Sequence, residues 1–167
     1  GFTSLKTAYD SVGASQFYEA HGNDYTNPHG ELLSQALTKA FSAFEAIGII
    51  GPRSGALQPW RVIDLACGGG EASTALATWW DERGIAHGKR KRTSLDIEAC
   101  DPYAGIRELY ARQTGRVAEP WSFADVANGV LETRRSYDLV LASFCLHLLE
   151  GSSELQATLR ALARRSR

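Results

Sequence analysis

Apolar residues recur along this chain at two different periods, and the switches between them mark out its elements. From Glu31 to Ile47 the positions Leu32, Leu33, Ala36, Leu37, Ala40, Phe41, Phe44 and Ile47 follow helical spacing, and Gly48 supplies a stop. Gly51-Pro52 through Pro59 reads as a loop. An apolar run over 61–66 then predicts a strand, followed by a helix over 71–82 with Trp79 and Trp80 near its end. Gly84 to Arg92 is a polar, basic connector. A second strand over 94–100 stops at Asp101-Pro102, and a helix follows over 103–113. Trp121-Ser122-Phe123 predicts a short strand ending near Asp125. Tyr137 to Ser143, built on Leu139-Val140-Leu141-Ala142, predicts a fourth strand, and 152–165 an amphipathic helix. Ahead of all these, residues 1–30 are polar and aromatic. Ser15 is placed to cap a short helix over 16–21, and Asn27-Pro28 marks a turn.

Strands separated by helices predict βαβ units, hence an α/β fold with a mostly parallel sheet and helices on both faces. In such sheets ligands bind beyond the carboxyl ends of the strands. The predicted strand ends therefore read as one site: Cys67-Gly68-Gly69-Gly70, then Asp101, then Asp125, then Ser143 through His147. At the first of them a strand runs into a glycine cluster and straight into a helix. Glycine lets backbone approach a ligand closely, and the helix start offers free N–H groups.

The pattern Asp64-x-Ala66-x-Gly68-x-Gly70 resembles motif I of the class I S-adenosylmethionine-dependent methyltransferases. The resemblance spans roughly residues 60–150 and implies a Rossmann-like fold with S-adenosylmethionine as cofactor. It implies that Ala66, Cys67, Gly68 and Gly70 hold the amino-acid part, with Asp64 orienting the turn or the ammonium. Asp101 would accept from the ribose diol, and Pro102 and Tyr103 would cover adenine. Asp125 would accept from the adenine amino group, among Phe123, Ala124 and Val126, and Ser143 would close the set at the fourth tip. Plain structural roles stand beside these: Asp101 as a helix cap, Asp125 as a turn residue, Tyr103 as sheet packing.

Before the first strand, family members often carry a lid. Tyr18, His21, Tyr25 and His29 are the candidates for lid or substrate contacts, with surface packing as the alternative. His147 follows the fourth strand, where a catalytic or substrate-contacting group often sits; it reads either as that or as structural. The family's Asn/Asp-Pro-Pro-Tyr/Phe motif is replaced by Ser143-Phe144-Cys145-Leu146, which argues against a nucleobase or glutamine acceptor and leaves a small molecule, the reading taken here, or another protein substrate. Methyl transfer is an in-line displacement, so the protein's share is chiefly alignment.

Composition narrows this further. A net charge of −1 gives no global field that favours nucleic acid. Lys89-Arg90-Lys91-Arg92 reads as a solvated loop. Cys67, Cys100 and Cys145 lack metal-ligand spacing and read as small buried hydrophobes, so no metal is expected and a cytoplasmic, reducing setting fits. No apolar run is long enough for a membrane span, and no signal-peptide pattern is present. A nicotinamide fingerprint fails: Ser73 stands where its third small residue belongs, and the next acidic residue falls ~30 rather than ~20 positions on.

The expected organisation is an N-terminal helical lid or substrate segment over 1–59 and a partial cofactor-binding core over 60–167. The chain opens on Gly and contains no Met, so its start is not expected to be a translation start. The family sheet usually has seven strands; four are legible here, and the chain reads as truncated after the fourth. A bare sheet edge of that kind predicts self-association or a partner chain. The rival reading is a catalytically inactive methyltransferase-fold module that binds or regulates.

Overall fold

Helices cover both faces of the sheet, which is why its first strand is buried along nearly its whole length. A computed structural model describes residues 27, 29–51, 58–86, 94–149 and 151–166, apart from the side chains of 84–86 and 147. Tyr18, His21, Tyr25, the short helix over 16–21 and the basic run 89–92 lie outside the described residues.

Strand β1 (Trp60–Leu65) pairs in parallel with β2 (Leu95–Cys100), from Trp60 opposite Leu95 to Leu65 opposite Cys100. On its other side it pairs with β4 (Leu139–Leu141). β3 (Ala118–Glu119) adds beyond β2, giving the order β3-β2-β1-β4, all parallel. The strand order reverses at β1, and that reversal opens a crevice at the carboxyl tips.

Trp60 and Val62 face α1 (Gly30–Ala46) and α2 (Glu71–Ala86). There Phe41, Leu76, Trp79 and Trp80 close the core, with Trp60 and Trp80 stacked 4.9 Å apart. The indole N–H of Trp79 donates to Ser42 Oγ at 3.1 Å. Helix α2 runs to Ala86 rather than 82. Arg83 pairs with Glu45 at 3.3 Å and lies over the Trp79 ring, which holds Gly84 inside the helix. Helix α3 (Ala104–Thr114) sets Tyr110 against Ala99 and Ala118.

On the opposite face, Ile63, Leu65 and Cys100 meet Trp121, Val126, Leu131, Tyr137 and Leu162. These come from α4 (Phe123–Ala127), a short 3₁₀ turn over 130–133 and α5 (Ser152–Ala163), or from segments beside them. Val62, Ile63 and Leu65 are at most 1% exposed, and burying each stabilises by ~1.5–3 kcal/mol, so β1 anchors both layers. At the amino end of this face an ionic lattice takes over. Arg61 pairs with Asp96 and Glu98, both at 3.1 Å, and the Tyr137 hydroxyl donates to Glu98 at 2.6 Å.

Three expectations need correction. The third strand is Ala118–Glu119; Trp121-Ser122-Phe123 forms no strand but leads into α4, because Ser122 caps that helix. The fourth strand is limited to Leu139–Leu141. Its flank is locked side-on instead, where the Asp138 N–H donates to the Arg61 carbonyl and the Asp138 carboxylate accepts from the Arg61 N–H. Nor does the chain stop in the helix after β4: Ser166 forms a parallel bridge with Tyr137, and the Tyr137 N–H donates to the Arg165 carbonyl at 2.7 Å. The chain after α5 thus returns to the outer side of β4.

Candidate functional site

The turn after β1 is held by backbone bonds that tie three strand tips together. The Cys67 N–H donates to the Cys100 carbonyl at 3.0 Å, and the Asp101 N–H to the Glu119 carbonyl at 3.0 Å. Within the turn the Gly70 N–H donates to the Cys67 carbonyl at 2.9 Å. Ala66, Gly68 and Gly70 all have positive φ, at 49°, 56° and 90°. For Ala66 that conformation is costly, by roughly 1 kcal/mol or more.

The two motif glycines do different jobs. A Cβ on Gly68 would meet nothing nearer than Glu71 Oε2 at 3.6 Å, and Gly68 lines an open cleft. A Cβ on Gly70 would collide with Thr114 Cγ2 and the Tyr110 ring. Gly70 is there so that α3 can close on the turn, and it does not line the cleft.

Asp64 lies fully buried beneath this turn, outside the cleft wall. Ser73 Oγ donates to its Oδ2 at 2.7 Å and lies 3.0 Å from the Tyr110 hydroxyl. The other oxygen, Oδ1, is buried with no hydrogen-bond partner. Burial pushes the Asp64 carboxyl up to about 7, the Ser73 hydrogen bonds oppose this, and the charges of Glu71 and Asp101 add to it. An orphaned acceptor in a negative neighbourhood suits an incoming cation.

Asp101 sits at the β2 tip, 5% exposed, in the cleft wall. Burial raises its carboxyl to about 6, against the Tyr103 and Gly68 backbone N–H groups and the Arg107 charge. The Tyr103 N–H reaches Asp101 Oδ1 at 3.1 Å, so Asp101 does shape the start of α3, although Tyr103 is the cap residue. Arg107 Nη1 donates to the carbonyls of Asp101 and Pro102, at 2.9 and 2.7 Å, and fixes the loop. Pro102 and Tyr103 line the cleft beside Asp101.

From the third tip, Trp121, Ser122, Phe123, Ala124 and Val126 face the cleft, but Asp125 does not. Asp125 is exposed and serves a capping box: the N–H and the hydroxyl of Ser122 donate to its Oδ2 at 2.8 and 2.6 Å. Those Ser122 hydrogen bonds hold its carboxyl below the usual carboxylate range.

Beyond β4 the wall is Ser143, Phe144 and Cys145, then Leu148. His147 lies in a 3₁₀ turn over Leu146–Leu148. The three cysteines are buried free thiols at the cleft wall. Burial drives the Cys67 thiol far up and those of Cys100 and Cys145 to about 12, so all three stay protonated. Among the described residues no group of His, Cys, Asp and Glu is arranged to hold a metal, and no helix is long and apolar enough to cross a membrane.

Wall residues outside the motif-based set include Asn27, Leu33, Glu71, Ile106, Leu148 and Glu154. His29, the one described residue of the lid set, is exposed and lies outside the wall; its N–H donates to Asn27 Oδ1 at 2.9 Å.

No family model matches the chain. The uncharacterized protein C17A5.05c of Schizosaccharomyces pombe is 31% identical over 187 aligned residues, covering 96% of this chain and 70% of that protein. The chain belongs to the same family as that protein. Among solved structures, the plantazolicin methyltransferase BpumL, in complex with a pentazolic desmethylPZN analog and SAH, superposes with a TM-score of 0.61 at 13% identity, covering 98% of this chain and 53% of that one. The magnesium protoporphyrin IX methyltransferase ChlM of Synechocystis PCC 6803, with bound SAM, gives 0.52 at 16% identity, covering 99% and 74%. DesVI of Streptomyces venezuelae gives 0.53 at 12% identity, covering 100% and 55%.

The fold is the class I methyltransferase fold. The chain spans about half the length of BpumL and of DesVI. In a class I methyltransferase fold the β1 turn and the β2 tip are neighbours, and here they stand as neighbours through the Cys67–Cys100 backbone bond.

Proposed function

We propose that this chain binds S-adenosylmethionine in the strand-tip cleft and serves as the cofactor-binding part of a methyltransferase that acts on a small molecule. The observation that carries the reading is the pairing of Gly68, open to the cleft, with Asp101, a buried carboxylate at the adjoining tip. The cofactor supplies an activated methyl group; the residues bind and align. Gly68 allows backbone to approach the amino-acid part, and the unpartnered Asp64 Oδ1, buried behind the turn, answers its ammonium through water. Asp101 accepts from the ribose diol, while Trp121, Phe123 and Val126 supply apolar surface for the adenine. Asp125 joins this site only if the ligand takes the oxygen that Ser122 leaves free.

The segment ahead of α1 is proposed as a cover, since Asn27 before that helix and Leu33 in its first turn already line the cleft. A partner or a second copy at the outer side of β4 belongs to the same proposal; β4 itself pairs only with β1 among the described strands. Calorimetry with S-adenosylhomocysteine, S-adenosylmethionine and NAD tests the reading. Binding of the first two and not the third is expected. Binding of NAD alone, or of none, overturns it.

A further inference from the structure

The wall opposite the proposed cofactor residues is made by the β4 side of the sheet, and its chemistry is one-sided. Across the whole cleft, the described side chains include three carboxylates, Glu71, Asp101 and Glu154, and no Lys, Arg or His. Glu71 and Asp101 belong to the β1 and β2 tips. Glu154 comes from the first turn of α5, on the far side.

The orientation of Glu154 follows from its helix. Thr158, one turn further on, is fully buried and its hydroxyl donates to the Phe123 carbonyl at 3.4 Å. Residues four apart share a helix face, so Glu154 projects on the side that meets α4 and the cleft. Phe144, from the segment after β4, also lines the cleft and is 69% exposed. Its φ of 53° is a conformation that bulky residues rarely adopt. In this cleft a carboxylate recognises a cationic nitrogen by charge and hydrogen bonding, and an uncovered aromatic ring offers apolar surface to the carbon frame that carries it. Among the described wall residues an anionic acceptor would face three carboxylates and no cationic side chain.

We propose that the acceptor is an organic amine, held at its nitrogen by Glu154 and along its carbon frame by Phe144. This rests on the cofactor reading above. The bound ammonium first releases one proton to water, and the lone pair so freed on nitrogen then forms the N–C bond as the sulfonium C–S bond breaks. The electron pair goes to sulfur and the positive charge to nitrogen, and the new ammonium then releases a proton to water. A carboxylate beside that nitrogen stabilises charge as it develops there.

The test is binding by the full chain of benzylammonium, benzyl alcohol and benzoate, three probes of one frame and different charge. Ligand-observed NMR titrations are run with and without S-adenosylhomocysteine, so failure of the cofactor to bind refutes the cofactor reading while the charge preference stays readable. Benzylammonium is expected to bind about tenfold or more tightly than benzoate, with the alcohol between. Glu154→Gln should erase that preference, and Glu154→Lys should reverse it towards benzoate. Phe144→Ala should weaken all three probes alike. Equal or better binding of benzoate, no saturable binding of benzylammonium, or a preference untouched in a Glu154→Gln protein of normal circular dichroism would each overturn the proposal.

Discussion

Replacing Asp101 with alanine removes one carboxylate from the centre of the proposed cofactor site, and the structure sets the size of the effect. Asp101 is 5% exposed, and in the free protein it is already served by the Tyr103 and Gly68 N–H groups. A ribose diol would add charge-assisted hydrogen bonds, worth ~1.5–3 kcal/mol each before allowance for the water both sides give up. The net expected loss is ~1–3 kcal/mol, or roughly 5- to 150-fold in Kd for S-adenosylhomocysteine.

The pH profile adds a second readout. A diol donates, so it needs the ionised carboxylate, and the Asp101 carboxyl titrates near 6 in the free protein. Affinity should be complete well above that value and fall as pH drops through it. Asp64, near 7, adds an earlier decline if it meets the ammonium. Asp101→Asn should remove the lower of the two steps and leave the upper one. Calorimetry across this range is the assay. An Asp101→Ala protein with affinity within twofold of wild type, and an unchanged profile, would refute the reasoning.

Gly68→Ala should fold with a modest stability loss and bind S-adenosylhomocysteine poorly, because its new methyl group stands at the cleft with a strained φ; Gly70→Ala should lose stability by ~1–3 kcal/mol, because its methyl group meets Thr114 and Tyr110. Thermal melts and calorimetry on the pair check this, and equal melting temperatures would contradict it. Asp64 and Asp101 have folded values raised above the unfolded carboxylate, so the native state binds the extra protons. The ligand-free protein should therefore gain stability as pH falls from about 8 towards 5, at roughly 2–4 °C in Tm per kcal/mol, and Asp64→Asn should flatten that slope. A melt that is flat in wild type, or equally steep in the variant, would count against it. Residues 15–30 should gain hydrogen-exchange protection when S-adenosylhomocysteine is added; equal exchange in both states would remove the covering role from that segment.

The layout of the sheet was legible where apolar runs were long. Val62-Ile63-Asp64-Leu65 is buried on both faces and reads as a strand without help. The turn that follows and Asp101 at the next tip were equally plain, since glycines and Asp-Pro punctuate the chain there. The third strand was misplaced because two residues, Ala118 and Glu119, carry no periodicity, while Trp121 and Phe123 are apolar for a different reason: they line or back the cleft. A signal did exist in Ser122-x-x-Asp125, the spacing of a capping box, which predicts a helix start rather than a strand. The different duties of Gly68 and Gly70 were not legible, because what a Cβ meets depends on α3 folding back. Glu154 and Leu33 reach the cleft only through the packing of α5 and α1, so no local pattern marks them. The return of Ser166 to Tyr137 is likewise a tertiary fact, set by the length of α5.

The most direct test of the central claim, that S-adenosylmethionine sits at these strand tips, is a backbone amide NMR titration of the full chain with S-adenosylhomocysteine. Amides of Gly68, Asp101, Tyr103, Phe123 and Val126 should shift together at one affinity. Amides at the opposite end of the sheet, such as Arg61, Leu95 and Asp96, should stay in place. Shifts confined to that opposite end, or no saturable shifts at all, would contradict the account.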